Sequence, residues 1–239
     1  TLAGVDVLIP TMSPVTGEVL QSADGLRLIQ QCGAGLEGVD LEAARVRKIP
    51  VANVPTDISG NADSVAELGV YMLIGLSRDF RGMARSHRDR KVGEPLGRAL
   101  KGKTVGIVGL GGIGRALVQR LRPFGVRLMG IKRNDPEKAG EELGLPWAGG
   151  PGDLPHLLAR SDYVVLALPL TEENRGMIDG NAFSRMKEGS FIVNLSRGGL
   201  IERRALIEAL ASGRIAGAGL DVYWEEPPDP DDPLFRYNV

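Results

Sequence analysis

Residues 104–114 read Thr104-Val-Gly-Ile-Val-Gly109-Leu-Gly111-Gly-Ile-Gly114, a short apolar run that stops on a Gly-x-Gly-x-x-Gly turn. A helix-like stretch, 115–121, follows at once. Where a buried strand runs straight into a helix, the helix's first backbone N–H groups have no intrahelical partner and form a ready phosphate site. Gly109 then allows the tight turn, Gly111 the approach of a pyrophosphate, and Gly114 the close packing of helix on strand. The motif by itself is common. The strand before it and the helix after it supply the context that favours a dinucleotide site over a structural turn.

Working outward, candidate strands at 104–110, 127–132, 163–168, 191–195 and 217–222 alternate with candidate helices at 112–123, 136–143, 154–160, 181–187 and 203–212. Continuous apolar strands such as Tyr163-Val164-Val165-Leu166 belong in a parallel sheet covered on both faces. Upstream, apolar runs at 5–9, 26–30 and 51–54 with a helical stretch at 41–47 predict a second α/β lobe. The boundary is placed near Gly60-Asn61, giving a partial lobe over 1–60 and a larger one over 61–239. A long apolar helix is expected over 64–76, continuing into an arginine-rich stretch at 78–90. Asp79 and Asp89 interrupt that stretch, so it reads as a solvated helix face and not as a nucleic-acid patch.

The 239 residues are 43% hydrophobic and 25% charged, with a net charge of −1. That balance suits a soluble globular chain and gives no overall field toward nucleic acid or an anionic membrane. No apolar stretch approaches bilayer length. A single cysteine, Cys32, rules out an internal disulfide framework and fits a reducing compartment; at a strand end it reads as a small buried hydrophobe. No metal site is expected. The sequence starts at Thr1 and stops at Tyr237-Asn238-Val239, soon after Pro233-Leu234-Phe235, which suggests truncation at both ends.

Three further stretches carry chemistry. The second strand of the larger lobe ends at Lys132-Arg133-Asn134, with Lys132 standing 18 residues after Gly114. An acid about twenty residues past the glycines accepts from the adenosine ribose in this kind of fold. Two cations stand here instead and would pair with a 2′-phosphate, so NADP is expected over NAD; the alternative is a solvated strand end. Next, Asn194-Leu195-Ser196-Arg197-Gly198-Gly199 closes the fourth candidate strand. An arginine there can hold a carboxylate through two parallel hydrogen bonds, although taken alone Arg197 reads equally as a surface cation. Last, Gly217-Ala218-Gly219-Leu220-Asp221 ends in an acid, and Glu225-Glu226-Pro227-Pro228 follows.

In this order and spacing, the glycine turn at 109–114, the stretch at 194–199 and that at 219–227 resemble the D-isomer-specific 2-hydroxyacid dehydrogenases. Cys32-Gly33-Ala34-Gly35-Leu36-Glu37-Gly38-Val39-Asp40 and Gly60-Asn61-Ala62-Asp63-Ser64-Val65-Ala66-Glu67 resemble that family's substrate-carboxylate loop and domain-crossing segment. The resemblance implies two Rossmann-like lobes with doubly wound parallel sheets and an active site in the cleft between them. It implies that Arg197 binds the substrate carboxylate and 2-oxygen, and that Glu226 pairs with a catalytic histidine. Backbone N–H groups at Ala34 and Gly35, with Asn61, would hold substrate. Gly109, Gly111, Gly112, Ile113, Gly114, Lys132, Arg133, Pro169, Ser196 and Asp221 would hold the cofactor, Asp221 at the carboxamide.

The family's histidine follows the stretch that here ends at Val239. Neither His87 nor His156 matches it, so the chain as given is expected to lack its acid/base group. The implied activity is hydride transfer between a nicotinamide and C2 of a small 2-keto or 2-hydroxy acid, with glyoxylate or hydroxypyruvate reduction favoured because NADPH suits reduction. Phosphoglycerate oxidation is the alternative within the family, and a dinucleotide-sensing corepressor-like protein the alternative outside it. A cytoplasmic homodimer with no nucleic-acid or membrane partner is expected, the 64–90 stretch offering an interface.

Overall fold

The computed structural model describes residues 2–10, 13–56 and 59–239. The chain divides after Ala62 into two units. In the first, β1 (Val7–Leu8), α1 (Gly17–Gln21), β2 (Leu28–Gln30), α2 (Leu41–Val46) and β3 (Val51–Ala52) give a parallel sheet in the order β1-β2-β3. Thr16 and Asp40 start the two helices, their side chains accepting from the N–H groups of Val19 and Ala43. Leu20, Ile29 and Ala44 close a small core between helices and sheet.

The second unit opens with most of α3 (Asn61–Arg78), then α4 (Phe80–Arg88). The sequence pattern runs on through this region, but the chain breaks at Asp79, which takes φ +46° while its carboxylate accepts from the Gly82 N–H at 3.0 Å. The alternation then follows: β4 (Thr104–Val108), α5 (Gly112–Leu121), β5 (Arg127–Ile131), α6 (Pro136–Glu142), β6 (Trp147–Gly149), α7 (Leu154–Arg160), β7 (Tyr163–Leu166), α8 (Gly180–Arg185), β8 (Ser190–Asn194), α9 (Arg203–Ala211) and β9 (Ile215–Leu220). All six strands are parallel, in the order β6-β5-β4-β7-β8-β9. Every residue of β4, β7 and β8 is buried, so both faces of the central strands are covered.

This order fixes where a ligand can sit. From β4 the chain winds outward through β5 to β6, then returns to β4's other side at β7 and winds the opposite way. The loops after β4 and β7 therefore diverge, leaving a crevice at their carboxyl ends. Cys32 departs from expectation. β2 stops at Gln30, the chain bends, and the thiol is exposed instead of buried. Among the described residues no helix is long and apolar enough to cross a membrane, and no cluster of His, Cys, Asp and Glu is suited to a metal ion.

Candidate active site

Past β4, Gly109 takes φ +107°, and a Cβ there would strike the carbonyl of Ala167, just beyond β7. In the first turn of α5, a Cβ on Gly114 would strike the carbonyl of Gly109. Both positions exclude any side chain. Gly111 is the N-cap of α5 and provides no side-chain acceptor, and space beyond its Cα is open for 4 Å. The N–H groups of Gly112, Ile113 and Gly114 thus begin the helix without a capping side chain, on a face that phosphate can reach.

A cleft of about 360 Å³ opens in front of this turn. Gly109 and Gly111 line it, with Lys132 and Arg133 from the end of β5 and Ala167, Leu168 and Pro169 from the end of β7. Among the described residues neither Lys132 nor Arg133 is in an ion pair, and both can answer a phosphate; one carboxylate, Glu173, also borders the cleft. An uncapped helix start, an open glycine and a cation pair fit a dinucleotide. The sequence did not single out the far wall, Leu154, Asn174 and Met177. Asn174 accepts from the Thr171 N–H at 2.7 Å and donates to the Pro169 carbonyl at 2.9 Å, shaping that wall. An asparagine five residues past a proline in a strand-end loop was the available signal.

The next two strand ends lie alongside. Asn194 is in register with Leu220, and the Asp221 N–H donates to the Asn194 carbonyl at 3.1 Å. Arg197 is exposed on the turn after β8, its Nη1 donating to the Ser196 carbonyl at 2.7 Å. That turn is pressed onto the chain beyond β9: a Cβ on Gly198 would overlap the Tyr223 carbonyl. The Tyr223 N–H in turn donates to Glu226 Oε1 at 3.0 Å. Backbone packing therefore brings the Arg197 turn together with the Asp221 and Glu226 loop. Burial, and then the neighbouring Glu226 carboxylate, push the Asp221 carboxyl above the ordinary aspartate range.

Ser196 is at the same edge; its side chain is buried and its hydroxyl donates to the Leu166 carbonyl at 3.4 Å. Trp224, close by in sequence, donates its indole N–H to the Ile201 carbonyl at 2.7 Å and packs on the core. Ala34, Gly35 and Asn61 lie in the first unit, where the Ala34 carbonyl accepts from Asn53 Nδ2 at 2.8 Å and Asn61 starts α3. His87 is exposed on α4. His156 stacks on Trp147 with ring centroids 4.6 Å apart and meets Arg160 at 3.0 Å, beside the starts of β4 and β5. His156 is thus at the opposite edge of the sheet from Arg197.

Residues 70–239 match the model for "D-isomer specific 2-hydroxyacid dehydrogenase, NAD binding domain". The chain belongs to the D-isomer specific 2-hydroxyacid dehydrogenase family. It is 37% identical over 241 residues to a glyoxylate reductase of Korarchaeum cryptofilum, covering 97% of this chain and 70% of that protein. Against a D-3-phosphoglycerate dehydrogenase of Archaeoglobus fulgidus it is 33% identical over 232 residues, or 96% of this chain, and spans 43% of that relative's length. Among solved structures, the NAD-dependent formate dehydrogenase of Staphylococcus aureus in complex with NAD superposes with a TM-score of 0.81 at 32% identity, covering 99% of this chain and 70% of that one. The region matched within the family is its nicotinamide-dinucleotide-binding domain.

Proposed function

We propose that the whole protein is a 2-hydroxyacid dehydrogenase that reduces glyoxylate or hydroxypyruvate with NADPH. A nicotinamide dinucleotide, when bound, supplies the hydride. The chain's own residues bind and orient around it. The N–H groups of Gly112, Ile113 and Gly114 take the pyrophosphate, and Lys132 and Arg133 the 2′-phosphate. Pro169 and Ser196 border the nucleotide, and Asp221 receives the carboxamide N–H. Arg197 holds the substrate carboxylate and polarises its 2-oxo group; Ala34, Gly35 and Asn61 are assigned to substrate binding within the first unit.

Protonation of the 2-oxygen is assigned to an imidazole. Glu226 holds that imidazole and raises its basicity, as proton transfer near neutral pH requires. The observation that carries the reading is the pairing of β8 and β9. It sets Arg197, Asp221 and Glu226 on adjoining loops at the edge that also holds the glycine turn.

The test is kcat/KM for glyoxylate, hydroxypyruvate, pyruvate and 3-phosphohydroxypyruvate, each with NADPH and NADH, on the full-length protein. Preference for the first two with NADPH is expected; no turnover with any pair overturns the proposal. Leading turnover of 3-phosphohydroxypyruvate favours the second reading, phosphoglycerate oxidation, which the names of several relatives suggest. A cytoplasmic homodimer, associating through the larger unit, completes the proposal.

A further inference from the structure

Asn194 is the only fully buried carboxamide among the described residues, with no exposed surface. A carboxamide so placed is costly unless its polar atoms are bonded. Here Nδ2 donates to the Arg197 carbonyl at 2.9 Å, and Oδ1 accepts from the Ser196 N–H at 3.1 Å. One side chain therefore closes the turn from inside, gripping the backbone just before and at the arginine. Its main-chain carbonyl separately takes the Asp221 N–H, a bond that no side-chain substitution removes.

We infer that Asn194 is a positioning residue for Arg197, fixing the direction from which the guanidinium meets a carboxylate. This rests on the substrate-binding reading of Arg197. Serine is too short to reach both partners. Aspartate keeps the acceptor but, ionised, turns a lone pair toward the Arg197 carbonyl. Glutamine adds a methylene to a filled site.

Four full-length variants test the assignment: Arg197→Ala, Asn194→Ser, Asn194→Asp, and Arg197→Ala combined with Asn194→Asp. Each Asn194 change is expected to lower kcat/KM for the 2-keto acid by about tenfold or more, while the cofactor Kd stays within about threefold. Once Arg197 is gone, Asn194→Asp is expected to change the remaining kcat/KM by less than about twofold, because residues acting as a unit are not additive. Wild-type kcat/KM in both single Asn194 variants, loss of cofactor binding in both, or an undiminished Asn194 defect without Arg197 overturns the inference. Full activity of Arg197→Ala overturns the underlying reading instead.

Discussion

On the proposed function, the two cations at the end of β5 make cofactor choice a property of single side chains. With Lys132 and Arg133 free of ion pairs among the described residues, Arg133→Asp is expected to cut the NADPH-to-NADH ratio of kcat/KM by about 10- to 100-fold. Parallel initial-rate assays with the two cofactors read this directly. Asp221 makes a pH-dependent prediction. Burial and Glu226 raise its carboxyl, so the folded chain keeps a proton that the unfolded chain has released. Stability therefore falls as pH rises through the window between the ordinary aspartate value and the raised one, and stays lower above it. Asp221→Asn is expected to raise Tm at pH 7 and to leave it unchanged in strong acid; thermal melts across pH decide. The positions of Arg197 and the cation pair, at the ends of strands, were legible in sequence because a charged residue just past an apolar strand has few places to go. The exposure of Cys32 and the partner of the Ser196 hydroxyl were not. Which way a short side chain turns, and where β2 stops, depend on neighbours that spacing does not encode.

Among the elements, the start of β4 is tied to β7 by Asp162. Its carboxylate accepts from the Thr104 N–H at 2.8 Å and pairs with Lys187 at 3.1 Å. Burial alone would raise its pKa, but the Thr104 N–H and the Lys187 ammonium outweigh it and hold the carboxyl below the ordinary range. A lowered carboxyl stabilises the fold above its unfolded pKa and loses that contribution as pH falls through the folded one. Asp162→Ala is expected to cost about 1–2 kcal/mol at neutral pH and less in acid, as urea melts at two pH values would record. At the other end of β4, Gly114→Val forces α5 off the strand, and loss of dinucleotide binding by calorimetry is the expected result. The buried strands of the larger sheet were readable within a residue or two, since unbroken apolar runs have few alternatives. α1 and β6 escaped, having five and three residues, too few for a period, fixed by a Thr16 cap with the buried Leu20 and by an edge pairing with β5. The break at Asp79 likewise rests on one left-handed residue, which no periodicity announces.

For the molecule as a whole, α3 and α4 turn Tyr71, Phe80 and Met83 outward, 61%, 59% and 47% exposed. Exposed large apolar side chains on consecutive helices suit the dimer interface proposed above. Tyr71→Asp combined with Phe80→Asp is expected to convert the proposed dimer to monomer in sedimentation equilibrium, whereas an unchanged mass would place the interface elsewhere. The parallel larger sheet was visible in the alternation of apolar runs.

The glycine turn, the Pro169 loop, the Arg197 turn and the Asp221 loop all begin where an enclosed strand ends. Substrate preference can thus be recut by exchanging rims, while the strands beneath keep their packing. Selectivity and robustness become separately adjustable traits: on the proposed function, a library that varies those rims but spares Gly109, Gly114 and Gly198, which leave no room for a Cβ, would sample new acids with little thermal penalty.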